Sequence, residues 1–270
     1  MKLKKWTALF TAAVLSAGML AGCGEQKNQS TNAGADNGQK ATLTVGFDQD
    51  FPPMGFKGDD GEFTGFDLEL AAEAAKRMGM EIKYRPIQWD AKDMELESGT
   101  IDCIWNGFSI QSREDDYTWT DPYMKNNQVI VVRTADGIDD FAGLAGKTVD
   151  VQADSTAENA LTEKPELTET FGKLNPVADY NTAFMDLEAG AADAIAMDSV
   201  VAQYQIKDRE DTFKILDEII SEEDYGVGFK KGNTELRDKI QKVLEDMAED
   251  GTLTKTSEKW FGEDVTIIGK

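Results

Sequence analysis

Along the chain, short apolar runs alternate with segments whose apolar residues recur every three or four positions. TLTVGF (42–47) predicts a strand, and GFDLELAAEAAKRMG (65–79) predicts a helix with Leu68, Ala71, Ala75 and Met78 on one side. MEIKYR (80–85) predicts a strand, DAKDMELESG (90–99) a short helix, and IDCIWNG (101–107) a strand again. The rhythm resumes with a strand at KTVDVQ (147–152), a helix from Ser155, a strand at LNPVAD (174–179), a helix from Thr182 and a strand at DAIAMD (193–198). Strands alternating with helices argue for parallel α/β sheets.

Two segments share one pattern. LESGTIDCI (96–104) and LEAGAADAI (187–195) both read L-E-small-G-x-x-D-x-I, 91 residues apart and at the same place in two strand–helix series. The match predicts two similar lobes. It sets Asn106 and Gly107 beside Met197 and Asp198 at the strand exits, which is where ligands bind in open α/β sheets. The chain crosses between lobes through NQVIVVRT (127–134) and returns through DYGVGFKK (224–231), before an amphipathic helix at TELRDKIQKVLEDMAEDG and a last helix ending at EKWFG. Two crossings suit hinge closure about a ligand. The expected lobes are residues 42–131 with 226–270, and residues 132–225.

The ends change the picture. MKLKKW is a basic n-region, and the apolar stretch after it is too short to span a membrane, so residues 1–22 read as a signal peptide. LAGC, ending at Cys23, resembles the lipobox of bacterial lipoproteins; a plain secretory signal with a chance cysteine is the alternative. Residues 23–41, rich in Gly, Asn, Gln and Ser, read as a flexible tether. A lipid on Cys23 plus a tether puts a soluble body at the outer face of the cell membrane, or on the periplasmic side where an outer membrane exists.

Charge and composition narrow the chemistry. The chain has 51 acidic and 28 basic residues, and loss of Lys2, Lys4 and Lys5 with the signal moves the net charge from −23 to −26. Such a body is ill suited to nucleic acid or anionic headgroups. There is no histidine, which removes Ser-His-Asp and Cys-His catalysis and most histidine-ligated metal sites. No metal and no cofactor are expected. With Cys23 acylated, Cys103 has no partner and reads as a small buried residue.

Taken together, VGFDQDFPPMGF, GFDLELAAEAAKRMG, SGTIDCIWNGFSIQSRED, WTDPYM and YGVGFKKGN resemble the family 3 solute-binding proteins of polar amino acid ABC transporters, over about residues 42–262. The resemblance implies a type II periplasmic-binding-protein fold: two lobes, each a mainly parallel sheet flanked by helices, joined by two β hinge crossings. It also implies site roles. Arg113 matches the arginine that clamps the ligand carboxylate, with Ser109 beside it and Thr156 contributing from the opposite lobe. SIQSR leaves three residues between Ser109 and Arg113 where many relatives have four, which affects only that local geometry. Asp198 matches the acid that meets the ligand ammonium, with the Gly107 carbonyl as a second acceptor. Phe51 and Trp89 match the aromatics that sandwich the ligand side chain; Asp48, with Asn106, belongs to the same pocket.

Each residue also has a plainer reading. Arg113 could pair with Asp115 or Asp116. Ser155 and Thr156 lie in DSTAE, a capping-box spacing, so Ser155 is expected to cap a helix while the free N–H groups there suit a carboxylate. Asp198 opens DSVVAQY and could be an N-cap. Phe51 and Trp89 could be core, and Asp48 a turn residue. The expectation is a monomeric binding protein, not an enzyme, that hands a polar amino acid to a permease. A cyclohexadienyl-type dehydratase and a surface adhesin or sensor on the same scaffold are the alternatives.

Overall fold

The computed structural model describes residues 41–270. The signal peptide, Cys23 and nearly all of the tether lie outside the described residues. Among the described residues there are thirteen strands: β1 (Thr42–Phe47), β2 (Asp50–Phe51), β3 (Gly55–Lys57), β4 (Phe63–Thr64), β5 (Glu81–Pro86), β6 (Cys103–Ile104), β7 (Tyr117–Trp119), β8 (Met124–Arg133), β9 (Thr148–Gln152), β10 (Lys173–Val177), β11 (Ala194–Asp198), β12 (Phe213–Tyr225) and β13 (Gly228–Lys230). The helices are α1 (Phe66–Arg77), α2 (Lys92–Glu97), α3 (Thr156–Thr162), α4 (Pro165–Thr168), α5 (Tyr180–Ala189), α6 (Ser199–Ile206), α7 (Thr234–Glu249) and α8 (Thr252–Phe261).

Two five-stranded sheets carry the fold, in the orders β5-β1-β6-β13-β7 and β10-β9-β11-β8-β12. Both follow one plan. Three strands run parallel, and two more extend each sheet on the β6 or β11 side, each antiparallel to its neighbour. A small antiparallel sheet, β2-β3-β4, was not foreseen, because each of its strands is only two or three residues long. Helix α1 buries Leu68, Leu70, Ala71, Ala74 and Ala75, and α7 buries Ile240, Val243, Leu244 and Met247 at helical spacing.

The repeated motif has a physical cause. Asp102 Oδ2 accepts the Thr44 N–H at 2.7 Å, and its own N–H donates to the Thr44 carbonyl at 2.8 Å. Asp193 makes the same pair of bonds with Thr148, at 2.9 and 2.8 Å. In each sheet, then, the motif aspartate pins the start of its last parallel strand to the central strand. The motif glycines, Gly99 and Gly190, follow α2 and α5 with φ of 74° and 76°, a left-handed conformation that suits glycine at a helix end.

The crossings are more extensive than the sequence reading. β12 is 13 residues long and pairs antiparallel with β8, with register shifts on either side of Ile219. All of β8, from Met124 onward, lies in the second sheet, ahead of the expected boundary at residue 132. The passages between sheets are bonded to each other: Thr120 N donates to the Val227 carbonyl, and Tyr123 N to that of Tyr225, at 3.1 and 2.9 Å.

Asp102→Ala is expected to lower the unfolding free energy by about 1–2 kcal/mol, because it removes a carboxylate from a strand N–H. Asp193→Ala should cost a similar amount by urea denaturation. If neither variant shifts the midpoint, the motif aspartates are not structural pins.

Candidate functional site

The strand exits of both sheets face a shared cleft that is closed in this structure. Arg113 follows β6 on a tight loop and is 6 % exposed. Its Nη1 donates to Thr156 Oγ1 at 2.6 Å and its Nη2 to the Asp154 carbonyl at 2.9 Å, both on the second sheet's side. The guanidinium carbon lies 5.3 Å from the Phe108 ring centre. Glu114, Asp115 and Asp116 are exposed, and the guanidinium's bonds go to neutral oxygens instead. Lys92, almost fully buried, reaches across in the same way to the carbonyl and carboxylate of Asp154.

Ser155 does cap α3: its Oγ accepts the Glu158 N–H at 3.2 Å. The reciprocal bond of a capping box goes one residue early, from the Asp154 N–H to Glu158 Oε2 at 2.7 Å. Thr156, the first helical residue, turns its hydroxyl to Arg113.

Asp198 ends β11 and is 5 % exposed. It stands at the N-cap position of α6, yet its side chain makes no capping bond. Its Oδ1 accepts from Tyr225 Oη at 2.6 Å and Asn126 Nδ2 at 2.9 Å, and its Oδ2 from Tyr180 Oη at 3.4 Å. Burial pushes its carboxyl above the usual range. Asn126 Oδ1 takes over the capping task, accepting from Ser199 Oγ and the Val200 N–H. That substitution leaves the Asp198 carboxylate free to face inward.

Gly107 has φ of 53°, and a Cβ there would lie 2.9 Å from Phe51 Cε1 and 3.2 Å from the Tyr225 ring. Asp67, at the start of α1, holds this turn by accepting the Gly107 N–H at 2.5 Å and Tyr123 Oη at 2.9 Å on one oxygen. Full burial pushes Asp67 up to about 7, opposed only in part by those bonds. Phe51 packs against Tyr180 with ring centres 5.8 Å apart, so Phe51, Gly107, Tyr225, Tyr180 and Asp198 form one continuous wall.

Asp48, 5 % exposed, accepts from the Asp50 N–H at 2.8 Å and, across the cleft, from Gln152 Nε2 at 2.6 Å. Its own N–H donates to Asn106 Oδ1 at 2.8 Å. Desolvation dominates and raises its carboxyl to about 6. Asp48 and Trp89 line one cavity of about 320 Å³ together with Asp50, Glu95 and Asp179; Phe51 and Asn106 are not among its walls. Trp89 also stands edge-on to Phe108, at 5.4 Å and 89°, so it is core on one side and cavity wall on the other. Ser109 is buried and bridges to Tyr225 through its backbone.

The residues singled out in the sequence thus gather into three groups: Arg113 with Thr156, Asp198 with Gly107 and Phe51, and Asp48 with Asn106 and Trp89; Ser155 is taken up by capping, and Ser109 bridges to Tyr225. The site also contains Asp67, Asn126, Gln152, Tyr180, Glu223 and Tyr225, which sequence reasoning did not single out. Asp67 sits in the quoted GFD stretch, and Tyr225 opens YGVGFKKGN, so both lay inside recognised motifs without a role attached.

The sequence profile of the bacterial extracellular solute-binding proteins, family 3, matches residues 43–263. This chain belongs to that family. It is 34% identical to the L-cystine-binding protein TcyJ of Escherichia coli (strain K12) over 231 residues, covering 84% of this chain and 85% of that one. It is 31% identical to the arginine-binding extracellular protein ArtP of Bacillus subtilis (strain 168) over 263 residues, with 96% and 98% covered. Its fold superposes with a TM-score of 0.81 on an ABC uptake transporter substrate-binding protein from Streptococcus pneumoniae with bound histidine, at 35% identity, covering 83% and 94% of the two chains. The two-lobed periplasmic-binding-protein fold expected from the sequence is the fold observed.

Two outcomes test this geometry. Gly107→Ala is expected to destabilise the protein by about 1–3 kcal/mol, since alanine must adopt a left-handed backbone against Phe51; an unchanged melting temperature would contradict it. For Asp67, the folded protein holds the proton more tightly than the unfolded chain, whose carboxyl titrates near 3.8. Its stabilising contribution is therefore complete below that pH, falls as pH rises towards about 7, and is flat above it. Asp67→Asn abolishes this titration, so the melting temperature of the parent minus that of the variant should decline across that interval. A constant difference would show that Asp67 titrates normally.

Proposed function

We propose that this chain captures a polar amino acid in the cleft between its two sheets, outside the membrane, and delivers it to an ABC permease. Membership of an extracellular solute-binding family and the binding names of its relatives support the class of activity. One observation carries the ligand assignment: a buried guanidinium that bonds only neutral oxygens, in a cleft whose other end holds a buried carboxylate with no capping duty. A zwitterionic α-amino acid supplies the complement of both.

In this reading Arg113 grips the α-carboxylate as a planar fork, with Ser109, Ser155 and Thr156 adding donors. Asp198 and the Gly107 carbonyl take the α-ammonium. Phe51 and Trp89 flank the side chain, and Asp48 and Asn106 meet its far end. The cavity beside Asp48 is walled by Asp50, Glu95 and Asp179 and has no lysine or arginine in its lining. That supports a side chain bearing nitrogen donors, in keeping with relatives named for arginine and cystine and a fold neighbour holding histidine. Binding, not turnover, is the activity. Residues 1–22 act as a signal, Cys23 carries the lipid and residues 24–41 the tether, and the protein works as a monomer.

The test is a thermal-shift screen of ligand-stripped protein against the L-amino acids, ornithine and cystine. A ligand at about a hundred times its Kd stabilises by ~2.7 kcal/mol, on the order of 5–10 °C for a chain of this size. Arg113→Ala should remain folded and lose the shift. A flat screen on stripped, folded protein would overturn the assignment.

A further inference from the structure

Behind Asp198 lies a second buried carboxyl that the ligand scheme does not use. Glu223, on β12, is 3 % exposed. Its Oε1 accepts from Asn126 Nδ2 and from Gln128 Nε2, the latter at 2.8 Å, and its Oε2 is buried with no donor. Asn126 Nδ2 also donates to Asp198 Oδ1 at 2.9 Å, so one amide group bridges the two carboxyls. The remaining side chains bonded to the pair are the hydroxyls of Tyr180 on α5 and Tyr225 on β12, both on Asp198. Lys125, Glu222 and Asp224 flank Glu223 along an outer hollow of about 430 Å³, and Lys125 itself is exposed. Among the described residues, no lysine or arginine bonds to either carboxyl.

Two adjacent carboxylates, both buried and neither paired with a cation, cannot both stay ionised without a large cost. One proton relieves it, and the unpartnered Glu223 Oε2 is the oxygen with room for a hydrogen. We propose that Asp198 and Glu223 act as one acid–carboxylate pair holding a single proton, with Glu223 the protonated member and hydrogen-bond donor to Asp198. Burial and the Asp198 charge both hold the Glu223 proton on. Glu223 is then a positioning residue: it fixes Asp198 as the charged member, and the cleft meets an ammonium with one negative charge, not two. This role rests on the amino-acid reading; the shared proton does not.

The experiment is carbon NMR of the mature protein, labelled at glutamate side-chain carboxyls and stripped of ligand. At pH 7 one glutamate carboxyl should stand in the protonated position and vanish in Glu223→Gln. In Asp198→Asn that same carboxyl should titrate at lower pH, since the neighbouring charge is gone. Ionised signals throughout would overturn the shared proton, and a titration untouched by Asp198→Asn would show burial acting alone. Glutamine reproduces a neutral acid, with its carbonyl for Asn126 and Gln128 and its amide for Asp198. Glu223→Ala should therefore weaken binding of L-arginine, L-histidine or L-cystine, whichever the parent binds, by about tenfold or more at pH 7, and Glu223→Gln should restore most of it. Equal weakening in both variants, or none in Glu223→Ala, would overturn the positioning role. If the parent binds no amino acid, the functional reading fails while the NMR outcome stands by itself.

Discussion

Arg113 keeps a positive charge in the interior against neutral oxygens alone. Removing a guanidinium from water without a counter-ion is costly, and a carbonyl plus a hydroxyl offsets only part of that. The Phe108 face adds a little more. Both oxygens belong to Asp154 and Thr156, on the other side of the cleft, so the same contacts that quiet the charge also draw the sheets together. Lys92 repeats the arrangement on Asp154. A carboxylate entering from outside would satisfy Arg113 better than either oxygen. On the proposed reading, a ligand carboxylate meets a charge that these neutral oxygens satisfy only in part.

The shared plan of the two sheets sets unlike groups at the two strand exits. Each motif aspartate fixes the start of its parallel strand, and so sets how far that strand's exit projects into the cleft. In the first sheet the exit becomes a glycine turn held by Asp67; in the second it becomes Asp198, spared from capping by Asn126. The same scaffold position carries backbone on one side and a carboxylate on the other. On the proposed reading, that asymmetry offers unlike partners to a molecule with unlike ends.

The alternating apolar pattern made the parallel strands and long helices legible, and the L-E-small-G-x-x-D-x-I match exposed the two-lobe plan. The three-stranded β2-β3-β4 sheet escaped because strands of two or three residues have too few positions to show a period. β12 escaped for another reason: as a crossing ladder with register shifts near Ile219, it has no constant inner face to alternate. Arg113, Thr156 and Asp198 stand out through motif and resemblance, and the fold brings Arg113 and Thr156 into contact. Glu223, Asn126 and Gln152 were not, since an acid or amide in a polar-looking strand gives no sign of burial until the partner strand is placed. Ser155 was readable as a cap because its bond is local; the freedom of Asp198 from capping was not, because Asn126 lies 72 residues away.

The Asp198–Glu223 pair lies beside the chain's passage between sheets. Glu223 and Tyr225, on β12, reach Asp198 directly or through Asn126 of β8, and Tyr225 also accepts from Tyr123 on the first passage. Any bending at these passages must move Tyr225 relative to Gly107 or to Asp198, since it packs on one and bonds the other. The anionic end is therefore anchored to the hinge, whereas Arg113 and Thr156 reach each other from opposite sides. On the proposed reading, hinge closure built this way would present the ammonium partner with little change and bring the carboxylate partners together last, so that an amino acid is held first by its ammonium.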